Sequence, residues 1–375
     1  MNKKILFLTG TRAEFGKLKA LMRAVEEDHG FECIIFATGM HTLKRYGLTV
    51  DEIVKAGFKN IHTYMNQVIG DSMDQILANT IIGLSRYVNE FQPDMIVVHG
   101  DRVEAMAGAI VGGLNNILVA HIEGGELSGT IDGVIRHAIS KMSHIHFVSN
   151  DEAAQRIRQM GEDEDTIYVF GSPDVDIMLS EDLPSIDKVK DYYEIDFKDY
   201  AIAILHPVTT ETDNTYENAR NFVIALVESD RNYVVIYPNN DESSQDILKA
   251  YKEISNNSKF KIFPSLRFEY FLTLLKNTQF AIGNSSAGVR EAPIYGVPTI
   301  NVGSRQNDRF SYKSIINVGY GKDEVLEAIN KLESLELFEP CYSFGKGDST
   351  SLFMQELRGG EIWKINKQKK FQDLR

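Results

Sequence analysis

Short, fully apolar runs alternate along this chain with longer stretches in which apolar residues recur every three or four positions. The first kind of segment reads as a buried parallel strand and the second as an amphipathic helix. Ile5 to Leu8 is the first run, and Leu18, Leu21, Met22 and Val25 give helical spacing from Lys17 to Glu27. Further strands are predicted at Cys33 to Ala37, Met95 to Val98, Ile117 to Ala120, Ile145 to Val148 and Ile167 to Phe170. Helices are predicted at Ser72 to Phe91, Val103 to Gly113, Val134 to Met142 and Glu152 to Met160. Strands alternating with helices imply a parallel, doubly wound sheet.

The alternation weakens after Gly171-Ser172-Pro173, and the stretch from Asp182 to Tyr200 reads as a connector. It then resumes. Strands are predicted at Ala201 to Leu205, Tyr233 to Tyr237, Lys261 to Phe263, Phe280 to Ile282, Pro298 to Val302 and Ser314 to Val318. Helices fall at Ala219 to Val227, Gln245 to Ile254, Phe268 to Leu275, Gly288 to Ile294 and Glu324 to Leu332. Two such arrays predict an α/β protein of two Rossmann-like domains, with parallel sheets facing a cleft. Residues 1–170 would form the first and 171–356 the second. Thr350 to Leu357 reads as a last helix, and the C-terminal segment 357–375 is expected to pack back on the first domain.

Composition narrows the partners. The chain has 375 residues, 40 Lys+Arg against 53 Asp+Glu, and a net charge of -13. With no basic tract to offset that charge, a nucleic-acid partner is excluded. Cys33 and Cys341 are far apart and form no CxxC pattern, which argues against a zinc cluster or disulfide framework. The N-terminal MNKKILFLTG has too short an apolar run for a signal peptide. Nothing approaches the ~18 apolar residues that a membrane span needs. A cytoplasmic protein with no membrane partner is expected.

In open α/β sheets ligands bind beyond the carboxyl ends of the strands, which selects the residues to examine. After the first strand come Gly10, Thr11 and Arg12; a glycine turn, a helix start and a cation suit an anion. No GxGxxG follows, so a dinucleotide cofactor is not supported. His99-Gly100-Asp101-Arg102 and His121-Ile122-Glu123-Gly124-Gly125-Glu126 end two successive strands. Ser128-Gly129, Asp132 and Arg136-His137 follow. Asp101, Glu123 and Asp132 could converge, and carboxylates in unlike environments suit acid–base work. The plainer reading makes Asp101 and Asp132 helix caps and His99 and His121 satisfied core residues. Metal binding is the rival chemistry, but His99, His121 and His137 have no HxH or HxxxH spacing, so no metal is expected.

The second half carries anion-site signals. His206-Pro207-Val208-Thr209-Thr210 follows one strand, and Asn284-Ser285-Ser286-Ala287-Gly288 follows another and opens a helix. Two hydroxyls at a helix start make a phosphate cradle, or an ordinary N-cap. Glu291, one to two turns on, could accept from ribose hydroxyls. Arg305 is a second phosphate or sugar candidate. The Tyr237–Asn240 and Phe263–Arg267 loops, with Arg267, could wall a base.

These motifs are similar to those of a known family. TGTRAEFGK, TGMH, HGDR, HIEGGELSGTIDGVIRH, HPVTT, YPNND, NSSAGVREAPIYGVP and GSRQ resemble the hydrolysing UDP-N-acetylglucosamine 2-epimerases, the bacterial sialic-acid-pathway enzymes in particular. The resemblance runs from about Lys4 to Arg309. It implies the GT-B fold type, a nucleotide-sugar cleft, no cofactor, and a homodimer or homotetramer. It also implies a reaction: anti elimination of UDP with loss of the carbon-2 proton to give 2-acetamidoglucal, then syn hydration to N-acetylmannosamine. On this resemblance Asp101, Glu123 and Asp132 are catalytic, with Glu123 and Asp132 serving hydration and Asp101 elimination. Arg12, His206, Ser285 and Ser286 hold the diphosphate and Glu291 the ribose, while Arg136, His137, Arg305 and Arg267 support.

There are departures. Many relatives read RAD where this chain has Arg12-Ala13-Glu14, and many read IDDxIRH where it has Asp132-Gly133-Val134. HIEGGE and Arg102 favour the hydrolysing branch over the HVEAG-type non-hydrolysing one. Three rivals stand: the same reaction on UDP-2,4-diacetamido-2,4,6-trideoxyglucose for legionaminic-type acids, a GT-B glycosyltransferase, and a nucleotide-sugar sensor.

Overall fold

A computed structural model of the chain describes residues 2–128, 131–208, 211–239, 243–307, 309–332, 338–370 and 372–373. Among these, thirteen strands form two wholly parallel sheets. The first contains β1 Lys3–Thr9, β2 Phe31–Ala37, β3 Ile61–Thr63, β4 Met95–His99, β5 Leu118–Ile122, β6 Ile145–Val148 and β7 Ile167–Val169. Their order is β3-β2-β1-β4-β5-β6-β7. The second contains β8 Ala201–Ile204, β9 Tyr233–Ile236, β10 Phe260–Phe263, β11 Ala281–Gly283, β12 Thr299–Val302 and β13 Ile315–Val318, in the order β10-β9-β8-β11-β12-β13. The order reverses at β1/β4 in one sheet and at β8/β11 in the other, the switch points at which such sheets bind ligands.

The apolar runs lack polar alternation because both faces of each sheet are covered. Ile5 and Phe7 point into one core cluster while Leu6 and Leu8 point into another. In the second sheet Ala201 and Ala203 face one cluster and Ile202 and Ile204 the other. Period-two side-chain direction with helices on both sides requires this.

The chain divides into two compact units. One comprises Met1–Glu126, Asp132–Glu181 and Ser343–Arg375, and the other Leu127–Ile131 and Asp182–Tyr342. The change-over therefore falls about ten residues later than the expected 170/171 boundary. The last helix belongs to the first unit, whereas a second domain of 171–356 had included it and only 357–375 had been assigned back. Side-chain chemistry explains both shifts. The helix Pro173–Met178 is fastened to the helix Arg12–Glu27 by an ion pair between Lys17 and Asp174, 2.7 Å apart. Asp176 accepts the backbone N–H groups of Ser349 (3.0 Å) and Thr350 (2.7 Å), capping the helix Ser349–Gly359. That helix buries Phe353, Met354 and Leu357 among Ile5, Phe7, Leu21 and Phe147.

Several short elements lie outside the predicted set, the helix Pro173–Met178 among them. β3 is a three-residue edge strand, the helix Val50–Lys55 has one turn and a half, and the supposed connector contains the helix Ile186–Tyr193. Each is too short or too charged to show a period. Among the described residues no helix is long and apolar enough to cross a membrane.

Candidate functional site

In the first unit the candidate residues gather at the carboxyl ends of β1, β4 and β5. Glu123 follows β5 directly and takes a left-handed backbone conformation, φ 62°. That costs a non-glycine residue roughly 1–2 kcal/mol. Its surroundings hold it there: its N–H donates to Phe147 O (2.9 Å) and its carbonyl accepts from Arg136 Nη1 (2.6 Å). The carboxylate is 2% exposed. Oε1 accepts from the Ser172 hydroxyl, and Oε2 lies 3.1 Å from His99 Nε2.

Asp101 sits in the turn after β4, and its carboxylate accepts from Arg136 Nη2. One guanidinium, 2% exposed and carried by the helix Ile131–Met142, therefore fixes Asp101 relative to the backbone of Glu123. Asp132 lies one turn earlier on the same helix, partly exposed. Burial, then the Arg136 and Arg156 charges, lowers the pKa of the neighbouring His137.

His121 proves to be structural. β5 runs through it, it is fully buried, and burial drives its pKa down to about 3. Nε2 meets Gly100 O at 2.8 Å and Nδ1 meets Ser140 Oγ at 2.9 Å. A neutral ring donating from Nε2 thereby supports the turn that carries Asp101.

Arg12 opens the helix that follows β1, where Thr11 is the N-cap. Its Nη2 lies 2.5 Å from Glu52 Oε1, so any anion it receives competes with a carboxylate already in place. Two buried acids near the same turn join the site: Glu14, which marks the departure from the RAD pattern, and Glu104, to which no motif points. Glu14 accepts from the Gly10 N–H at 2.6 Å. Burial, the largest influence, with Glu104 adding, lifts its pKa from 4.5 to about 7 against the opposing effects of His99, Gly10 and Arg102. Glu104, 1% exposed, packs on Gly10 and Gly39. The Thr11-x-x-Glu14 capping pattern also points to Glu14. Ser172 obeys the same strand-end rule as the others but was read as the start of a connector.

In the second unit Asn284 is the hub. Its Oδ1 accepts the His206 N–H (2.6 Å), and its Nδ2 donates to His206 O (2.9 Å). Its own carbonyl accepts from Gln306 Nε2 (2.9 Å) and Arg305 Nη1 (3.4 Å). So His206, Arg305 and the Ser285-Ser286 turn converge around one fully buried amide. Burial, then the Arg305 charge, lowers the His206 pKa to about 3. Its Nδ1 accepts the Asn239 N–H at 3.0 Å, so the neutral ring carries its proton on Nε2, as a donor.

Ser285 caps the short helix Ser286–Val289. Gly283 before it, at φ 127°, cannot be replaced, since a Cβ would lie 1.9 Å from Ile204 O. Gly303, at φ 77°, similarly lets the Tyr320 ring lie against the backbone. Tyr320 hydrogen-bonds Asn284, and burial raises its pKa to about 12. With His206, Glu211 and Thr215 it lines a narrow crevice. Glu291 is 4% exposed.

Arg267 is placed apart, at the end of the edge strand β10. Its guanidinium lies over the rings of Tyr192 (4.8 Å) and Tyr270 (5.6 Å). Gly129, Thr209, Thr210 and Asn240 lie outside the described residues.

Two Rossmann-like units in one chain, each built on a wholly parallel sheet, place the protein in the GT-B fold class. The profile of the UDP-N-acetylglucosamine 2-epimerases matches residues 23–358, and the chain belongs to that family. It is 47% identical over 375 residues to the UDP-N-acetylglucosamine 2-epimerase of Neisseria meningitidis, covering 99% of each chain. It is 32% identical over 354 residues to the hydrolyzing UDP-N,N'-diacetylbacillosamine 2-epimerase of Legionella pneumophila, covering 92% of this chain and 93% of that one. The fold matches the Methanocaldococcus jannaschii UDP-GlcNAc 2-epimerase solved with UDP-GlcNAc and UDP, with a TM-score of 0.81 and 23% identity, covering 95% of this chain and 100% of that one.

Proposed function

We propose that this protein is a hydrolysing UDP-N-acetylglucosamine 2-epimerase that releases UDP and free N-acetylmannosamine for sialic acid synthesis. The observation that carries the reading is the pair Asp101 and Glu123, at adjacent strand ends and cross-tied by buried Arg136. Breaking a C–H bond at sugar carbon 2 needs a base, and hydrating the resulting glycal needs an acid and a base. A binding module or sensor gains nothing from carboxylates that repel a diphosphate. A simple glycosyl transfer removes no carbon-2 proton.

In this reading Asp101 serves elimination, and Glu123 and Asp132 serve hydration. His206, donating from Nε2, and Ser285 and Ser286 neutralise the departing diphosphate, with Arg12 and Arg305 adding charge. Glu291 accepts from the ribose. Arg136 positions the acids, while His137 and Arg267 stand at the margins. The protein acts in the cytoplasm as a homodimer or homotetramer. The HIEGGE loop and Arg102 support the hydrolysing branch. The 47% identity to the Neisseria enzyme, against 32% to the Legionella one, favours UDP-N-acetylglucosamine over the diacetamido sugar.

The test is incubation with each UDP-sugar in deuterated water, followed by NMR. Release of UDP with a free manno sugar deuterated at carbon 2 is expected. Intact UDP-sugar epimers would move the protein to the non-hydrolysing branch, and turnover of the diacetamido sugar alone would reassign the substrate.

A further inference from the structure

Glu123 is poorly placed to meet a sugar itself. The side chain is 2% exposed, and each of its oxygens faces a protein group: Oε1 the Ser172 hydroxyl, Oε2 the His99 imidazole. Its backbone is pinned on both sides, by Phe147 O and by Arg136, in a left-handed conformation that allows little adjustment. Ser172 is itself fully buried at the turn after β7, so the carboxylate cannot swing away without giving up a buried hydrogen bond.

His99 is placed differently. It is the last residue of β4, two positions before Asp101, and its side chain keeps 10% exposure. Nε2 contributes none of that exposure: it is buried 3.1 Å from Glu123 Oε2, within ion-pair distance but not aligned as a hydrogen bond. Nδ1 is therefore the nitrogen left to exchange a proton. The groups facing the ring are Glu123 and His121 from β5 and Glu14 from the helix after β1, with Glu104 and Arg102 bordering Glu14.

We propose that His99 is the residue that exchanges the proton during glycal hydration, and that Glu123 acts through it as a positioning carboxylate locked by Ser172. This rests on the hydrolysing-epimerase reading. A carboxylate behind an imidazole fixes its tautomer and stabilises its protonated form. In the step, the water oxygen bonds to sugar carbon 1 as its O–H bond breaks, and that proton passes to His99 Nδ1. The glycal π pair takes a proton at carbon 2 from Asp132. Nε2–H stays within ion-pair distance of Glu123, which remains ionised. One proton is given and one received, so the net change is the addition of water.

The decisive variants are His99→Gln and Glu123→Gln, assayed on 2-acetamidoglucal hydration and on the full reaction. His99→Gln is expected to lower kcat roughly 100-fold or more with KM within a few-fold, and added imidazole is expected to restore part of the rate. Glu123→Gln is expected to cost less. It should move the acidic limb of the pH–rate profile to lower pH, and shift the His99 NMR titration down by about 1 pH unit or more. Near-wild-type hydration by His99→Gln would overturn the assignment. So would abolition by Glu123→Gln with neither the limb nor the His99 titration moved. If His99→Gln does not fold, as judged by UDP binding, the Glu123→Gln limb and titration decide alone. Wild-type protein that releases no UDP from either sugar sinks the functional reading. The His99 titration then still decides whether the pair exists.

Discussion

The two ends of the first sheet carry two charged clusters around buried carboxyls, and these are built in opposite ways. At the carboxyl end Glu14, Glu104, Asp101 and Glu123 crowd together, and charge compensation is partial: Glu14 is lifted to about 7. At the amino end Glu162 meets Lys141 (2.8 Å) and Lys369 (2.6 Å), with His146 Nε2 at 3.1 Å. Burial pushes the Glu162 pKa up, but the His146 contact and the two ammonium groups outweigh it and hold it at about 2. Burial keeps His146 itself neutral, so the lysines supply the charge. One cluster is arranged for stability. The other holds a buried carboxyl, Glu14, that titrates near neutral pH, the kind of perturbed group in which functional sites are rich.

The sharpest way to break that contrast is a pair of isosteric changes. Asp101→Asn is expected to lower turnover roughly 10²–10⁴-fold while leaving UDP affinity unchanged. Glu162→Gln should leave turnover as it was and lower the unfolding midpoint. Equal effects of the two on kcat would erase the distinction.

Arg136→Met comes next. It removes a charged donor from Asp101, which is 23% exposed, and from the Glu123 carbonyl, and is expected to cost about 1.5–3 kcal/mol in urea unfolding. A loss below 1 kcal/mol would mean that Arg136 is not the tie described.

The pH dependence sharpens the comparison further. The folded pKa of Glu14 is raised from 4.5 to about 7, so the folded state holds its proton more tightly. Its contribution is intact below about pH 4.5 and falls away as pH rises through 7, by about 3 kcal/mol. Glu162 has a depressed folded pKa, so its contribution is present above pH 4.5 and lost as pH falls toward 2. The Glu14→Gln and Glu162→Gln curves should therefore diverge from wild type in different windows and with opposite sign: as pH rises, Glu14→Gln gains on wild type between about pH 4.5 and 7, and Glu162→Gln loses to it between about pH 2 and 4.5. A Glu14→Gln curve parallel to wild type between pH 5 and 8 would contradict the first half.

The last effect expected is in the second unit. Ser286→Ala should weaken UDP binding by about 1.5–3 kcal/mol, read by calorimetry, with unfolding unchanged. Unaltered affinity would count against the cradle.

Much of this was legible before any coordinates. Parallel strands buried on both faces announce themselves as unbroken apolar runs, and the strand-end rule led directly to Asp101, Glu123, His206 and Ser285. What the residues could not show was partnership. Whether His121 or His99 faces the site depends on where β4 and β5 stop, and end positions are the weakest part of a periodicity reading. Arg12 reads as a free cation until Glu52 arrives from a helix too short to show a period. Asn284 draws no attention as one amide in a serine-rich string, yet it joins two strand ends of the second sheet. Lys369, in a basic tail with no pattern, gives no sign that its ammonium ends 2.6 Å from the buried Glu162 carboxylate.

The return of Ser343–Arg375 to the first unit makes the second unit an insertion, and this orders events during synthesis. Chains emerge from the ribosome amino end first, and domains tend to fold as they appear. Here Asp182–Tyr342 is fully translated while the first sheet still lacks Phe353, Met354, Leu357 and Ile362 from its core. The unit translated first is thus the last to close. A stalled or truncated nascent chain that stops short of residue 343 exposes the apolar face of the first sheet, while every residue of the second unit has already been made.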